Sequence, residues 1–308
     1  MLNVRPPLLP AIVQEGPSEG TTEGEWNEVG AHRGLELSGR SGGFRRRWSQ
    51  TCSILVLLFA ALGPDASADL TNGLVLYYSF STNTTPVPDD SGNGNTGVVS
   101  GAATWVPNGI VGGGYGLDGT DDRISAPDSS SLDLGSMTVA LWVYPQQISR
   151  WHTLASKLTY AAPNYFENYG VYLQSDNKLL CQFSSGGSAG GWAMARSTTT
   201  FQANRWYLVG LTYDGTNFTC YVNGAAEASF PTSGVPDATT NAFDVGRRGA
   251  DGFAPARGIV DEVRVYNRAL SAGEIMTLCT SALPPGAQLV IQGNPGRYGS
   301  PAPLGYGT

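Results

Sequence analysis

The sequence predicts an all-β protein, a sandwich or barrel, and three observations carry this prediction. The 308 residues include 41 glycines and 19 prolines, which favour turns over long helices. From Leu74 onward, short runs of β-branched and aromatic residues alternate with turn signals at the spacing typical of such folds. No segment before Ser271 has helical periodicity.

The strand-like runs follow one another along the chain. They are "LVLYYSF" (74–80), "MTVALWVYP" (137–145), "YGVYLQS" (169–175), "KLLCQF" (178–183), "RWYLVGLTY" (205–213), "FTCYVNG" (218–224) and "GIVDEVRVY" (258–266). The segment "YDGTNFTCYVNG" is a predicted hairpin, because Asp214 and Gly215 at its tip supply the positive φ that tight turns require.

One short helix is expected after the last of these strands. Ser271 and Glu274 have the S-x-x-E spacing of a capping box, and Leu270 with Ile275 fits a hydrophobic staple. The helix is predicted to run about two turns, to Cys279.

The first part of the chain is predicted to be an export signal. Residues 44–68 contain a basic cluster, an apolar core and the small-residue pattern Ala66-Ser67-Ala68, with cleavage expected before Asp69. The apolar core is about half the length of a spanning helix, so a membrane anchor is the weaker alternative. Residues 1–43 are interpreted as a disordered extension or a start-site artefact. Residues 69–282 form the predicted domain, and 283–308 a linker or the start of a truncated next module.

Charge limits the partners of this predicted domain. After the signal we count 18 acidic and 12 basic residues, a net charge of −6. Nucleic acid and anionic membrane surfaces both require a basic face, so neither is an expected partner. We expect a secreted or cell-surface protein with no membrane insertion after signal cleavage.

The stretch "PDDSGNGNTG" (88–97) is a candidate calcium loop. Asp89, Ser91 and Asn93 occupy positions 1, 3 and 5 of an EF-hand-like pattern, although the twelfth position is Ser100 rather than Glu. Oxygen ligands on a glycine-rich loop can still hold a hard cation together with residues from elsewhere. The alternative is a cluster of Asx-turns whose side chains bind their own backbone.

Two further aspartates are drawn into this metal hypothesis. Asp261 shares one face of its predicted strand with Ile259, Val263 and Val265, where an unpaired charge is costly. Either a cation shared with Asp89 or N–H groups of the "DDSGNGN" loop would compensate it, so Asp261 and Asp89 are predicted to lie at one site. Asp122 follows a predicted hairpin tip and is the third candidate contributor, with a solvated turn carboxylate as the alternative.

Aromatic residues concentrate in two presumed loops, "SRWHTLASKLTYAAPNYFENYG" (149–170) and "SSGGSAGGWAMAR" (184–196). Exposed Trp and Tyr can stack on apolar sugar faces or anchor a protein interface, so Trp151, Tyr165 and Trp192 are the candidate ligand-binding residues. Core packing is the alternative, and it is preferred for Trp142 and Trp206 within strong strands.

Two cysteines, Cys181 and Cys220, are each flanked two positions away by apolar residues and so are expected to point inward. They are either small buried hydrophobic residues or, in an oxidising compartment, partners in a disulfide.

Catalytic patterns find no support in the sequence. The predicted domain has four glutamates, and no pair has the same-strand spacing that glycoside hydrolysis would use. His152 is its only histidine and stands in no triad or zinc-ligand pattern. No catalytic residue is assigned.

Several of these segments, taken in order, resemble one family. They are "LVLYYSF", "DDSGNGNTG", "GYGLDGTDDRISAPDSSSLDLGSMTVALWVYP", "RWYLVGLTYDGTNFTCYVNG" and "GIVDEVRVYNRALSAGEI". Together they resemble a laminin-G-like jelly-roll domain of the concanavalin A-like lectin/glucanase superfamily, over about Leu70 to Thr280. The E-x-D-x-E strand motif of the superfamily's catalytic glucanases is missing.

The resemblance implies a two-sheet antiparallel jelly-roll sandwich of about a dozen strands with one short C-terminal helix. It implies a binding module for a carbohydrate or for a cell-surface or extracellular protein, often with calcium, and the family's aspartates match Asp89 and Asp261. We therefore expect a secreted, non-catalytic, carbohydrate-binding module with a structural Ca²⁺ site. A structural or adhesion module is the alternative, and a glycosidase or lyase of this fold is the weakest hypothesis.

Overall fold

The computed structural model describes residues 69–161 and 163–283, which form two packed antiparallel sheets. The strands are β1 (Leu74–Tyr78), β2 (Val98–Ser100), β3 (Thr104–Val106), β4 (Gly114–Asp118), β5 (Arg123–Ala126), β6 (Met137–Pro145), β7 (His152–Ala161), β8 (Asn164–Leu173), β9 (Leu179–Ser184), β10 (Trp192–Arg196), β11 (Tyr207–Tyr213), β12 (Asn217–Val222), β13 (Ala225–Pro231), β14 (Phe243–Val245) and β15 (Arg257–Tyr266). The all-β, two-sheet prediction is confirmed.

The order of strands separates the two layers. The first sheet runs β13-β12-β11-β6-β15-β4-β3, with β1 also paired to β15. The second sheet runs β10-β9-β8-β7-β14-β5-β2. Neighbours in the sheet are frequently distant in sequence, which is typical of a jelly-roll and not of a meander of consecutive hairpins.

The core lies between the sheets because successive side chains of each strand point to opposite faces. Tyr169, Val171 and Phe183 of the second sheet enter it together with Leu211 and Val265 of the first, all at most 1% exposed. The intervening residues of the same strands form the two outer faces.

The outer face of the first sheet is covered by the predicted C-terminal helix, α2 (Ala272–Ser281). Its capping box forms: Ser271 Oγ accepts from Glu274 N at 3.2 Å, and Glu274 Oε2 accepts from Ser271 N at 2.7 Å. The helix ends two residues beyond the expected Cys279. The apolar cluster under it comprises Ala140, Trp142, Leu208, Tyr221, Tyr266, Leu270, Ile275, Leu278, Cys279 and Ala282, with Leu70, Leu74, Ile110, Trp206 and Leu283 at its margin. The outer face of the second sheet has no such helix among the described residues.

The two aromatic-rich segments are not loops, contrary to the sequence prediction. Most of the first is a long hairpin formed by β7 and β8, in which Tyr160 lies opposite Tyr165. The second contains a one-turn helix, α1 (Gly187–Gly190), and then β10, which begins at Trp192. Aromatic and β-branched residues favour pleated structure, and this propensity outweighs the polar and glycine residues among them. A 3₁₀ turn at Ser130–Leu132 is also present.

The described residues contain no helix with the length and hydrophobicity needed to span a membrane. The predicted extension 1–43, the predicted signal 44–68 and residues 284–308 of the predicted linker lie outside the described residues.

Candidate functional site

The outer face of the second sheet carries a polar row that crosses its central strands. Strand register aligns Ser125 of β5, Asp244 of β14, Ser156 of β7, Gly170 of β8 and Gln182 of β9. Their sequence neighbours belong to the core between the sheets, so these five residues face away from it. Ser125 and Gln182 are partly exposed and could meet a ligand that lies across the strands, whereas Asp244, Ser156 and Gly170 are buried.

The hydrogen-bond network of this row also includes the acid Glu167 of β8, which is bonded to Ser156 and Gln182. Its Oε1 accepts hydrogen bonds from Ser156 Oγ at 2.9 Å and from the Tyr172 hydroxyl, and its Oε2 accepts from Gln182 Nε2 at 2.6 Å. Burial raises the pKa of this carboxyl, against the opposing effect of its hydrogen-bond donors. A Cβ at Gly170 would lie 2.3 Å from Glu167 Oε1, so the glycine makes room for the carboxylate.

Asp244 is the second buried acid of the row. It accepts from Ser125 Oγ at 2.6 Å, and its other oxygen accepts from Gly249 N at 2.8 Å. Burial raises the pKa of its carboxyl. Because Gly249 belongs to the loop that joins β14 to β15, this hydrogen bond fixes the loop above the polar row.

Aromatic rings and one guanidinium form a continuous series above this polar row. We call it the aromatic–arginine row: Tyr160, Tyr165, Arg248, Phe253 and Trp151. Tyr160 stacks on Tyr165 with ring centroids 4.6 Å apart. The Arg248 guanidinium carbon lies 5.3 Å from the Tyr165 centroid and 4.5 Å from that of Phe253. Phe253 in turn lies 5.6 Å from Trp151.

The row is joined to the buried network beneath it. Trp151 contacts Tyr172 edge-on, with centroids 6.4 Å apart, and the Tyr172 hydroxyl donates to Glu167. Arg248 is held by Asp251, which accepts from its Nε at 2.8 Å. Tyr160 and Phe253 remain 45% and 39% exposed, so ring surface is available to a ligand.

The three predicted ligand-binding residues all lie on this face, in two places. Trp151 and Tyr165 belong to the aromatic–arginine row. Trp192 is half-buried at the start of β10, opposite Ser184 of β9, and makes no ring contact with the other two.

Sequence reasoning missed Arg248 and Phe253, which connect Trp151 to Tyr165. They lie in "RRGADGF" (247–253), between the last two strands. The sequence pattern that could have indicated these two site residues is a basic pair followed by an aromatic residue in a glycine-rich turn. Only the folding of this loop over the second sheet brings it to the β7–β8 hairpin.

The predicted calcium loop is organised around backbone N–H groups. Asp89 Oδ1 accepts from Tyr77 N at 2.9 Å and Ser91 N at 3.0 Å, and Oδ2 accepts from Asn95 N at 2.9 Å. Asn93 donates to the Leu74 carbonyl at 2.9 Å. The Ser91 contact is that of an Asx-turn, while the Tyr77 and Leu74 contacts join the loop to β1.

Asp261 is compensated by a different loop. It is fully buried, and its Oδ2 accepts from Val111 N at 3.0 Å while Oδ1 accepts from Glu262 N at 2.7 Å. Asp261 and Asp89 share no hydrogen-bond partner. Backbone N–H groups therefore compensate Asp261, but they belong to Val111 and Glu262 and not to the predicted "DDSGNGN" loop.

Asp122 groups with its own sequence neighbours. The carboxylates of Asp118, Asp121 and Asp122 approach one another within 4.8 Å, a spacing that could hold a cation. Asp122 is buried and accepts from Ala102 N and Asp118 N. Within the described part of the chain, Asp89, Asp122 and Asp261 do not form such a group, whereas the other two predicted metal residues lie beside Asp89: Ser91 Oγ donates to Asp89 at 2.6 Å, and Asn93 donates to Ser91 Oγ at 3.0 Å.

The inward orientation expected of Cys181 and Cys220 is found. Both are fully buried, and their sulfur atoms lie 3.3 Å apart across the two sheets.

Comparison with known proteins identifies the fold family. The family model described as the concanavalin A-like lectin/glucanases superfamily matches residues 118–276, more than half of the 308-residue chain. No curated protein matches the chain by sequence.

Solved structures share the fold at low sequence identity. Domain 4 of AbnA, an extracellular GH43 arabinanase from Geobacillus stearothermophilus solved with arabinotriose, is 22% identical, with a TM-score of 0.55 over 67% of this chain and 98% of that domain. The binding domain of Paraclostridial mosquitocidal protein 1 is 16% identical, with a TM-score of 0.56 over 68% of this chain and 52% of that one. The binding domain of botulinum neurotoxin serotype G is 15% identical, with a TM-score of 0.52 over 68% and 51%. The chain thus spans about half of each toxin binding domain.

Proposed function

The chain belongs to the concanavalin A-like lectin/glucanase superfamily, and on this premise we propose that it is a secreted, non-catalytic module that binds carbohydrate on the outer face of its second sheet. The observation that carries the proposal is the aromatic–arginine row above the polar row. Sugars present apolar ring faces and hydroxyl groups together, so a recognition surface for them needs aromatic faces next to hydrogen-bonding groups.

The comparisons support a binding role. The structure of the arabinanase domain holds arabinotriose, and the two toxin structures are of binding domains. Since these likenesses are below 25% identity, they support the class of ligand through the fold and do not indicate which residues bind it.

A non-catalytic role is supported by the state of the two buried acids. Glu167 is fully buried and accepts from three side-chain donors, and Asp244 is 4% exposed under the β14–β15 loop. An acid that attacks or protonates a glycosidic bond must reach the substrate.

Calorimetric titration of the full chain with arabinotriose and with a panel of oligosaccharides would test the proposal. Phe253→Ala and Tyr165→Ala each remove one ring of the row and should weaken binding about fivefold or more, because an aromatic contact buried by the ligand is worth about 1 kcal/mol or more. Trp206→Ala is the matched control, since this Trp packs on Tyr144 at the margin of the α2 cluster. Equal affinity in all three variants and the parent would contradict the location of the site.

A protein-contact or adhesion module is the second candidate. It is favoured by two exposed apolar side chains on the same face, Met194 at 48% and Tyr160 at 45% exposure. Methionine and tyrosine are enriched in protein interfaces. Absence of binding across the oligosaccharide panel, together with capture of a defined extracellular protein that Tyr160→Ala abolishes, would favour this candidate.

A structural calcium ion is part of the same proposal. The described residues that best fit a hard cation are Asp118, Asp121 and Asp122, because calcium prefers oxygen ligands and these three carboxylates converge. A bound ion would tie the β4–β5 turn together and would stabilise that end of both sheets. Secretion likewise stays a prediction, tested by N-terminal sequencing of exported protein, which should begin at Asp69.

A further inference from the structure

We propose that Cys181 and Cys220 are a redox-active pair that forms a disulfide between the two sheets under oxidising conditions. Their sulfur atoms are 3.3 Å apart and unbonded in the structure. This inference is independent of the proposed ligand.

The position of the pair follows from strand alternation. Cys181 is on β9 of the second sheet and Cys220 on β12 of the first, and both side chains belong to the core between the sheets. Facing strands of a sandwich are normally about 10 Å apart, too far for two cysteines to meet without close approach. The observed contact shows that the sheets do approach closely at this point.

Only a small movement separates the contact from a bond. A disulfide has a sulfur–sulfur length of about 2.05 Å, so the two atoms must move together by about 1.2 Å. The Cys181 sulfur also lies 3.4 Å from the Gly210 carbonyl oxygen, to which the thiol can donate in the reduced state. Oxidation removes the thiol hydrogen, so this hydrogen bond is lost when the covalent bond forms.

The reaction balances with a disulfide oxidant such as glutathione disulfide. A thiolate of the pair attacks glutathione disulfide, which breaks its sulfur–sulfur bond and releases one glutathione thiol. The second cysteine then attacks this mixed disulfide of protein and glutathione, which forms the protein disulfide and releases the second glutathione thiol. In total the two protein thiols lose two electrons and two protons, which leave as two molecules of reduced glutathione.

Burial determines when the reaction takes place. It raises the pKa of Cys181 well above that of an exposed thiol, so the reactive thiolate is scarce in the folded protein. The bond should therefore form during folding and only slowly once both sulfur atoms are enclosed.

The bond would tie β9 to the opposite sheet. β9 carries Gln182, a donor to Glu167, and pairs with β10, which begins at Trp192. A cross-link over 39 positions reduces the freedom of the unfolded chain, and for a domain of this size it should raise the melting temperature by about 10 °C.

The test uses the full chain with Cys52→Ser, which removes the cysteine of the predicted signal and leaves three thiols. The protein is refolded in a glutathione redox buffer and, separately, in excess dithiothreitol. Thiols are counted after denaturation, and linked peptides are identified by mass spectrometry. We expect one free thiol after oxidative refolding, a peptide joining Cys181 to Cys220, and a melting temperature about 10 °C above that of the reduced form.

Cys279→Ala is the matched control, because Cys279 is an equally buried thiol on α2. This variant should still form the bond, whereas Cys181→Ala should keep both remaining thiols in the redox buffer and show no difference between the two preparations. Three free thiols after oxidative refolding, or a linked peptide that contains Cys279, would overturn the proposal.

Discussion

Asp261 Oδ2 accepts a hydrogen bond from the backbone N–H of Val111 at 3.0 Å, across 150 positions of sequence. A Cβ at Gly109 would lie 2.5 Å from the same oxygen and 2.1 Å from the Gly113 carbonyl oxygen. Only glycine allows the loop to come this close. The carboxylate in an apolar strand row is thus compensated by backbone amides from a loop that approaches through Gly109.

Asp261 should make the protein less stable as the pH rises. Burial raises the pKa of this carboxyl from 3.8 to about 7, so between these values the folded state binds more protons than the unfolded state. The stabilisation is complete below pH 3.8 and is lost as the pH rises through 7, with an upper bound of about 4 kcal/mol. Urea unfolding of the parent and of Asp261→Asn from pH 4 to pH 8 would measure it.

The difference between the two proteins should grow in favour of Asp261→Asn as the pH rises. A constant difference across this range would show that the carboxyl does not titrate in the folded state. Asp261→Ala should be less stable than either at every pH, because it leaves two buried amides without acceptors at about 1–3 kcal/mol each.

His152 should act in the opposite direction over nearly the same pH range. Burial, helped by the charge of Arg150, lowers its pKa from 6.5 to about 4, and its Nδ1 accepts from Arg257 N at 3.2 Å. Between pH 4 and 6.5 the unfolded state binds more protons, so stability falls as the pH falls through this window, by up to about 3 kcal/mol. In the same urea experiment, His152→Gln keeps an acceptor but does not titrate, and should lose this dependence. An unchanged slope in this variant would refute the assignment.

Lys157 should be essential for the stability of the fold, and it is not part of the proposed ligand-binding surface. Its ammonium is fully buried and donates to Asp128 and Asp133, both at 2.8 Å, and to the Thr239 carbonyl at 2.8 Å. Lys157→Met removes this donor from both carboxylates and from the carbonyl, although Thr239 N still donates to Asp133 at 3.1 Å, and we expect a loss of roughly 3 kcal/mol in the free energy of unfolding. Lys178→Met, a change at a half-buried lysine, should cost about 0.5 kcal/mol or less. Similar losses in both variants would contradict the prediction.

Calcium should raise the melting temperature if the carboxylate group at the β4–β5 turn binds it. At a calcium concentration one hundred times Kd, the gain is about 2.7 kcal/mol, equivalent to roughly 5–10 °C in a domain of this size. Scanning calorimetry in millimolar calcium and in EDTA would measure the shift, and Asp121→Asn should reduce it. Identical melting temperatures in calcium and EDTA would remove calcium from the proposed function.

Local patterns in the sequence were sufficient for elements whose partners are close in the chain. The capping box of Ser271 and Glu274 and the inward orientation of Cys181 and Cys220 follow from spacing alone. The second sheet's aromatic residues were recognised, but their strands were taken for loops because neighbouring glycines and polar residues obscured the alternation.

Contacts that depend on where a loop folds could not be predicted from local sequence patterns. The alternation of β15 indicated that Asp261 needed compensation, but several glycine-rich loops could have supplied the amides. Likewise, nothing near Arg248 in sequence indicates that it lies between Tyr165 and Phe253. Tertiary folding of the β14–β15 loop alone determines that contact.

The apolar cluster between α2 and the first sheet also determines where the two ends of the described domain lie relative to the aromatic–arginine row. Leu70 and Leu283, near the two ends of the described domain, both lie at its margin, on the outer side of the first sheet. Both ends of the described domain therefore lie on one side of the sandwich, while the aromatic–arginine row lies on the opposite side. Tethering through either end, to a surface or to another domain, would leave that row pointing outward and unobstructed by its own anchor.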